Sequence, residues 1–335
     1  MKLTIVNHEA FSKELFVKMK EISRISLIEE FADTLKEIST NNELRSNMER
    51  SIEESEVYDK NNIALPEDFY TRTDLKDKFV KFFPYTSLTT ALLCVNKHKK
   101  NQKICVLNFA SGTRPGGGVK NGSSLQEESI CRETTLYPVI ANPKFSESFY
   151  AKNKRAGRVY TDTCIYSPGI NIIKNGVDRN ALHYEKLDYR NVPMIDVMTC
   201  AAPNLRSKSG FNKYNENDST EAVNLTNSEK ETIIRSRIKF ILEVAEVNGV
   251  TDFVVGAFGC GAFQNPPEMV AKAFYDFYTT GDFSFQLIFA MFEKEASRPK
   301  YETFHDAFTH DISKQFGEAY EEFAKALNIK SLCSF

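Results

Sequence analysis

Two acids stand side by side at the start of a short apolar run, Glu127 and Glu128 in SLQEESICRETTLYP, residues 124–138. Neighbouring carboxyls do proton-transfer chemistry when their surroundings drive their proton affinities apart. A glycosidase pair flanks the scissile bond with carboxyls roughly 5 to 9.5 Å apart. Helix neighbours point about 100° away from each other, so these two need not flank one atom. The spacing therefore reads as a division of labour, one residue holding substrate and the other moving protons. A helix N-terminus lowers a carboxyl pKa, whereas an acid catalyst near neutral pH needs it raised. Burial under substrate and repulsion between the two acids would raise it. A structural alternative stays open: Ser124 and Glu127, like Ser123 and Gln126, have capping-box spacing, and Glu128 would then be an exposed first-turn acid. Against this, Leu125, Ile130, Leu136 and Tyr137 predict a largely buried helix, in which idle carboxylates are costly.

Upstream lie three consecutive glycines, Gly116, Gly117 and Gly118. Each gives up more backbone freedom on folding than any other residue, so this position requires backbone without side chains. A second loop, GAFGCGAFQNPPE (256–268), carries Gly256, Gly259 and Gly261 ahead of a helix. There Asn265 is expected to cap, Pro266 to take the first helical position and Glu268 to complete a capping box. A glycine loop entering a helix N-terminus presents N–H groups and a positive dipole end to phosphate; it can equally be a tight turn with no ligand. The dinucleotide fingerprint fails, because its third glycine would fall at Gln264. A P-loop fails too: Gly112 and Gly117 have the spacing, but Gly118 stands where lysine is required. What remains is a diphosphate-like ligand held by backbone. Cys131 shares a helix face with Glu128, but none of the histidines (8, 98, 183, 305, 310) sits in a partner motif for thiol catalysis. No metal-ligand cluster appears, and no metal or cofactor is expected.

The elements that must position these groups follow from periodicity. Residues 9–56 have helical spacing, as in SLIEEFADTLKEIS, and TSLTTALLCVNKH (86–98) reads as a helix capped by Thr86 or Ser87. From 103 short β-prone runs alternate with helices. The runs are KICVLNFAS (103–111), YTDTCIYSPGINII (160–173), VPMIDVMTCAAPN (192–204), DFVVGAF (252–258) and FSFQLIFAMFE (283–293). Helices are expected after Ser124, over 227–248, from 266, and over 301–328, with a polar loop at 206–220. Such alternation predicts an α/β sheet covered on both faces, with ligands at the carboxyl ends of its strands. Both glycine loops follow strand-like runs, so both point to one crevice. Hydrophobic and charged contents of 41% and 26% are those of a soluble globular protein, and a net charge of −2 excludes an overall basic field for nucleic-acid duplexes or membranes. No run suits a signal peptide or a membrane span. Seven scattered cysteines without C-x-x-C spacing read as buried free thiols. A cytoplasmic location is the expectation.

GGG at 116–118, seven residues, and QEE at 126–128 resemble the signature of microbial-type poly(ADP-ribose) glycohydrolases, a branch of the macrodomain fold. LNFASGTRPGGGV, CRETTLY, DVMTCAAPN and GAFGCGAFQNPP are similar to that family's blocks in its order, over about 100–295, with ADTLKEIS a weaker match upstream. The resemblance implies a macrodomain-like three-layer α/β/α mixed sheet in residues 100–335, ending in a helix, with an N-terminal helical accessory region over 1–99. It implies exo-acting hydrolysis of the ribose–ribose bond, with Glu128 as general acid and then base, and Glu127 on the ribose hydroxyls. Asn108 would orient the terminal ribose, and Gly116, Gly117, Gly118, Val119 and Gln126 would surround it. The glycine triplet would let the next sugar approach close to backbone. Gly256, Gly259, Cys260, Gly261 and Ala262 would carry the diphosphate, and Phe263 would pack on the nucleotide, with Phe258 or Tyr166 as candidates to stack on adenine. The implied partners are poly(ADP-ribose) or ADP-ribosylated protein, with ADP-ribose as product. A mono(ADP-ribosyl) hydrolase or a non-catalytic ADP-ribose reader would use the same site. The chain departs from the family pattern at Phe258, where many relatives carry tryptophan, at Ser111-Gly112, and in the insert 206–220.

Overall fold

The computed structural model describes residues 3–7, 24–74, 78–83, 85–95, 101–176, 185–206 and 224–291. The helix expected over 301–328 and nearly all of the insert 206–220 lie outside these residues. The order is β1 (Leu3–Asn7), α1 (Arg24–Thr40), α2 (Asn42–Glu54), β2 (Glu56–Asp59), β3 (Lys78–Phe83), α3 (Ser87–Cys94), β4 (Ile104–Phe109), α4 (Gln126–Glu133) and α5 (Leu136–Ile140). A π-helical turn (Ser146–Ala151) leads into α6 (Lys152–Arg155). Then come β5 (Thr163–Ile170), β6 (Lys174–Asn175), β7 (Glu185–Lys186), β8 (Ile195–Cys200), α7 (Asn227–Val247), β9 (Asp252–Val255), α8 (Pro267–Thr280) and β10 (Gln286–Ala290). Eight strands form one mixed sheet in the order β1-β3-β10-β9-β4-β8-β5-β2. It is parallel from β1 to β8, and β5 and β2 close the far edge with antiparallel pairings.

Strand residues alternate between two cores, as a sheet covered on both faces requires. Cys105 and Leu107 of β4, Phe253 and Val255 of β9, and Met198 of β8 face a core shared with Ile234, Ile238 and Ile241 of α7 and Val270 and Phe274 of α8. Ile104 and Val106, Val254, and Val197 face the other core, with Phe31 of α1, Leu88 of α3, Ile130 of α4 and Leu136 of α5. Thr86 caps α3, its hydroxyl accepting from the Thr89 N–H. Among the described residues no helix is long and apolar enough to cross a membrane.

The first 99 residues supply strands as well as helices. β3 lies between β1 and β10 inside the sheet, and β2 forms its far edge. The lysines of KFVKFF interrupt its apolar pattern; yet Lys78 is itself buried, donating to the Phe283 carbonyl beneath the Tyr278 and Phe283 rings. These residues are therefore part of the same folded unit rather than only a helical layer laid upon it.

A polar network ties the N-terminal helices to α4. The Thr34 hydroxyl donates to the Arg132 carbonyl, and Lys174, buried, pairs with Glu30 at 2.9 Å and Asp33 at 2.8 Å. Glu133, fully buried at the end of α4, accepts from the Ser129 hydroxyl and from the Gly176 N–H. Burial pushes its carboxyl up to about 7, against the pull of those bonds and of Arg132 and Lys174. A carboxyl raised in the folded state favours folding fully below its unfolded pKa, and that contribution disappears as pH rises through the folded value. Glu133→Gln should therefore flatten the stability profile: the change in unfolding free energy between pH 5 and 8 should differ from wild type by about 2.5 kcal/mol. Urea unfolding of both proteins across that range checks it, and parallel profiles would contradict it.

Candidate active site

β4, β8 and β9 run parallel and adjacent, so the segments leaving their carboxyl ends gather on one edge of the sheet. β9 pairs with β4 only as far as Val106, which leaves the last rungs of β4 without a strand on that side, while β8 continues along the other. The Gln126 side chain occupies that gap: its amide donates to the Leu107 carbonyl at 2.8 Å and accepts from the Phe109 N–H at 2.8 Å, with a further bond to the Ser87 hydroxyl. Gln126 thus docks the start of α4 onto the strand, with both atoms of its amide engaged within the protein. Asn108, fully buried one rung away, donates to Thr199 and keeps its carbonyl oxygen without a protein partner.

The capping boxes left open as an alternative at α4 do not form. Leu125 is the N-cap, with no side-chain bond, and its own side chain is exposed. Glu127 reaches instead to the first loop, accepting from the Ser111 N–H at 2.8 Å, and Glu128 accepts from the Gly118 N–H at 2.8 Å. Both are buried, at 3% and 5% exposure, so neither is a solvated helix-end acid. Nor do they diverge as helical geometry alone suggests. A Cβ on Gly117 would stand 2.6 Å from Glu128 Oε1 and 2.8 Å from Glu127 Oε2, which places both carboxyls against the same backbone atom. Gly116 and Gly117 both take positive φ, +66° and +55°, and a Cβ on Gly116 would strike the Tyr137 ring at 2.7 Å. The triplet is therefore demanded from inside the protein, by the two carboxyls and by Tyr137. Burial first, and then the charge of Glu128, hold the Glu127 carboxyl well above its ordinary range, while the Ser111 N–H, Asn108 and the Gly116 N–H oppose this. Its Oε1 is buried with no protein partner.

The second loop leaves β9 at Gly256, where a Cβ would stand 2.8 Å from the Ala290 carbonyl and 3.1 Å from the Phe109 ring. Asn265 does not cap α8; Pro266 is the N-cap and Pro267 opens the helix. The Asn265 amide instead donates to the Pro203 carbonyl at 2.8 Å and the Gly259 carbonyl at 3.1 Å, folding the loop back onto the end of β8. Gly259 takes φ +75° against that amide and Ala202. The N–H groups of Gly259, Gly261, Ala262 and Phe263 donate to no protein group among the described residues. Gly261 and Ala262 are exposed and Phe263 partly so. Four unspent amide donors over five residues, in a loop joined to a helix N-terminus, suit an anionic ligand.

Not every candidate lies at the surface of this crevice. The Val119 side chain is buried in the core beneath α4. Phe258 is buried edge-on against Phe109, and Tyr166 is buried with its hydroxyl on Asp196, so neither can stack on an adenine without leaving the core. Cys131 is fully buried with its thiol pushed up by burial, and the partly buried Cys260 thiol is pushed up likewise; neither resembles an activated nucleophile. Two residues escaped the sequence reading. Tyr160 lies between the two glycine loops, and Tyr150, on the π-helical turn, has a buried hydroxyl without a protein partner. Burial and then the charge of Glu127 push the Tyr150 phenol up. Isolated tyrosines carry no spacing signal, although a π-turn frequently marks a functional segment once seen.

Comparison with known proteins bears on the fold that carries these residues. The catalytic domain of microbial-type poly(ADP-ribose) glycohydrolase (PARG) matches residues 27–175, a stretch that begins within α1 and includes both glutamates. No curated protein matches the chain at a significant level. Among solved structures, the PARG of Thermomonospora curvata bound to the inhibitor ADP-HPD superposes with a TM-score of 0.63 at 22% identity, covering 84% of this chain and 98% of that one. The PARG of Deinococcus radiodurans in complex with ADP-ribose gives 0.61 at 23% identity, covering 80% and 98%. The fold is that of the bacterial enzymes, and residues 27–175 carry the match to the microbial-type PARG catalytic domain, a glycohydrolase.

Proposed function

We propose that the protein removes terminal ADP-ribose units from poly(ADP-ribose), with Glu128 transferring the proton. The carrying observation is the convergence of two buried carboxyls on Gly117, beside a second loop with four unspent amide donors. In this reading the terminal ribose sits over Gly117, and its diphosphate extends to the amides of Gly259, Gly261, Ala262 and Phe263. Phe263, partly exposed in that loop, covers the nucleotide. The ADP-ribose bound by the Deinococcus radiodurans protein of the same fold supports a ligand of this class.

The chemistry follows from which groups are spent and which are not. Protonated Glu128 gives its proton to the glycosidic oxygen; the bond from that oxygen to the anomeric carbon breaks, and the leaving ribose departs as a hydroxyl. The resulting carboxylate takes a proton from a water that adds to the anomeric carbon, releasing ADP-ribose and restoring the acid. Glu127, favoured neutral by burial, can both donate to and accept from ribose hydroxyls through Oε1, and the free carbonyl oxygen of Asn108 accepts another. The bond from the Gly118 N–H keeps Glu128 aimed while its charge changes.

Incubation with end-labelled polymer, resolved by size over time, tests the reading. Free ADP-ribose should be the first product, with the polymer shortening gradually. Early oligomers would show internal cleavage instead, faster release from mono(ADP-ribosyl) protein would transfer the activity to that substrate, and binding without turnover would make the protein a reader.

A further inference from the structure

Tyr160 has a backbone conformation that a tyrosine should avoid. Its φ is +53° and its ψ −172°, a region open in practice only to glycine. The flanking bonds over-determine it. The Asn153 side chain, itself fully buried, accepts from both the Thr161 N–H and the Thr161 hydroxyl at 2.8 Å, and the Asn204 N–H donates to the Arg158 carbonyl at 2.9 Å. A glycine here would relieve the backbone, so the ring itself must be what the position needs.

The ring's neighbours show the use. On one side it lies over Gly112: a Cβ there would be 2.8 to 3.0 Å from three of its carbons, Cδ1, Cε1 and Cγ. Gly112 follows Ser111, whose N–H holds Glu127. On the other side the Phe263 ring stands 6.0 Å away, tilted 53°, in the loop of unspent amides. Tyr160 is 8% exposed, so the ring is packed between the two loops rather than lying on top of them. Through this side chain the loop that seats the two carboxyls abuts the amide-bearing loop.

We propose that Tyr160 is a positioning residue that sets the separation of the two loops, and so selects ligands in which a ribose is joined through a diphosphate to a nucleoside. This rests on the ADP-ribose reading above and adds a determinant to it. A ligand gripped by both loops depends on their spacing; one gripped by the amide loop alone does not.

Calorimetric titration with ADP-ribose and with ADP separates the two cases. Tyr160→Ala and Tyr160→Gly should weaken ADP-ribose binding at least tenfold and ADP binding less than threefold, while Tyr160→Phe retains both. Gly112→Ala, whose new methyl would press on the ring, should also weaken ADP-ribose selectively. In a Tyr160→Gly background the same change should add nothing, because the ring it meets is gone; should a Tyr160 variant not fold, the selectivity of Gly112→Ala still decides. Equal losses for both ligands, or unchanged ADP-ribose binding, would overturn the proposal, as would an additive effect of the Gly112 change. Wild-type protein that binds neither ligand would remove the ADP-ribose reading, and this proposal with it.

Discussion

Glu128→Gln is expected to lower polymer turnover by about a thousandfold while ADP-ribose still binds within a few-fold of wild type, since a positioned proton donor contributes roughly 10²–10⁴ to rate. Glutamine is the discriminating replacement because it alters so little else. Its carbonyl oxygen can still accept from the Gly118 N–H, now 2.8 Å from Glu128 Oε1, so the loop keeps its anchor. Its volume matches, so the buried end of α4 remains filled. What disappears is the acidic proton, and with it both halves of the reaction, protonation of the leaving oxygen and deprotonation of water. Single-turnover rates on labelled polymer, with calorimetry for the product, measure the two effects separately. Undiminished turnover would take the proton transfer away from Glu128. Collapse of binding together with rate would mean that the residue grips the substrate instead. A secondary effect has a definite sign: removing the Glu128 charge removes one of the two causes that hold Glu127 above its ordinary range, so Glu127 should titrate lower in the variant.

Much of this site could be read from the sequence, because its signals are local. The glycine triplet, the paired glutamates and the second loop each occupy a few consecutive residues, and both loops follow β-prone runs that proved to be adjacent parallel strands. The alternation of those runs predicted a sheet covered on both faces, and two cores divide the strand residues as period two demands. The two helix caps that the spacing allowed failed for a shared reason. Each depended on which partner won a hydrogen bond, and spacing alone does not say. Ser124 with Glu127, and Asn265 before α8, both have capping geometry in one dimension, but the folded chain offers each acid or amide a better partner from a distant segment. Glu127 takes the Ser111 N–H, sixteen residues away, and Asn265 takes the carbonyls of Pro203 and Gly259. β3 was hidden because its lysines break the apolar pattern, although Lys78 is buried among aromatic rings. Tyr160 was hidden more completely, since its significance lies in a φ angle that the residue type would argue against.

Gly117→Ala should be nearly as damaging to activity as loss of the acid, through geometry rather than chemistry. Two costs arrive together. The residue sits at φ +55°, which alanine adopts only under strain, destabilising the fold by somewhat more than about 1 kcal/mol. The new methyl would also stand 2.6 Å from Glu128 Oε1 and 2.8 Å from Glu127 Oε2. Carboxyl groups at the ends of flexible side chains can yield, so the protein should still fold, with a melting temperature lower by roughly 2–4 °C per kcal/mol lost. But yielding moves both reacting groups, and misplacement by about 1 Å costs on the order of a hundredfold in rate. The expected result is thus a folded protein with turnover reduced about a hundredfold or more. Gly261→Ala is the matched control: it adds the same methyl in the neighbouring loop, where nothing lies within 4 Å and φ is not positive, so folding should be unaffected. If Gly117→Ala kept activity within threefold of wild type, the two carboxyls would not depend on the triplet for their seat. The glycines would then have to be explained by what approaches the loop from outside, as the sequence alone first suggested.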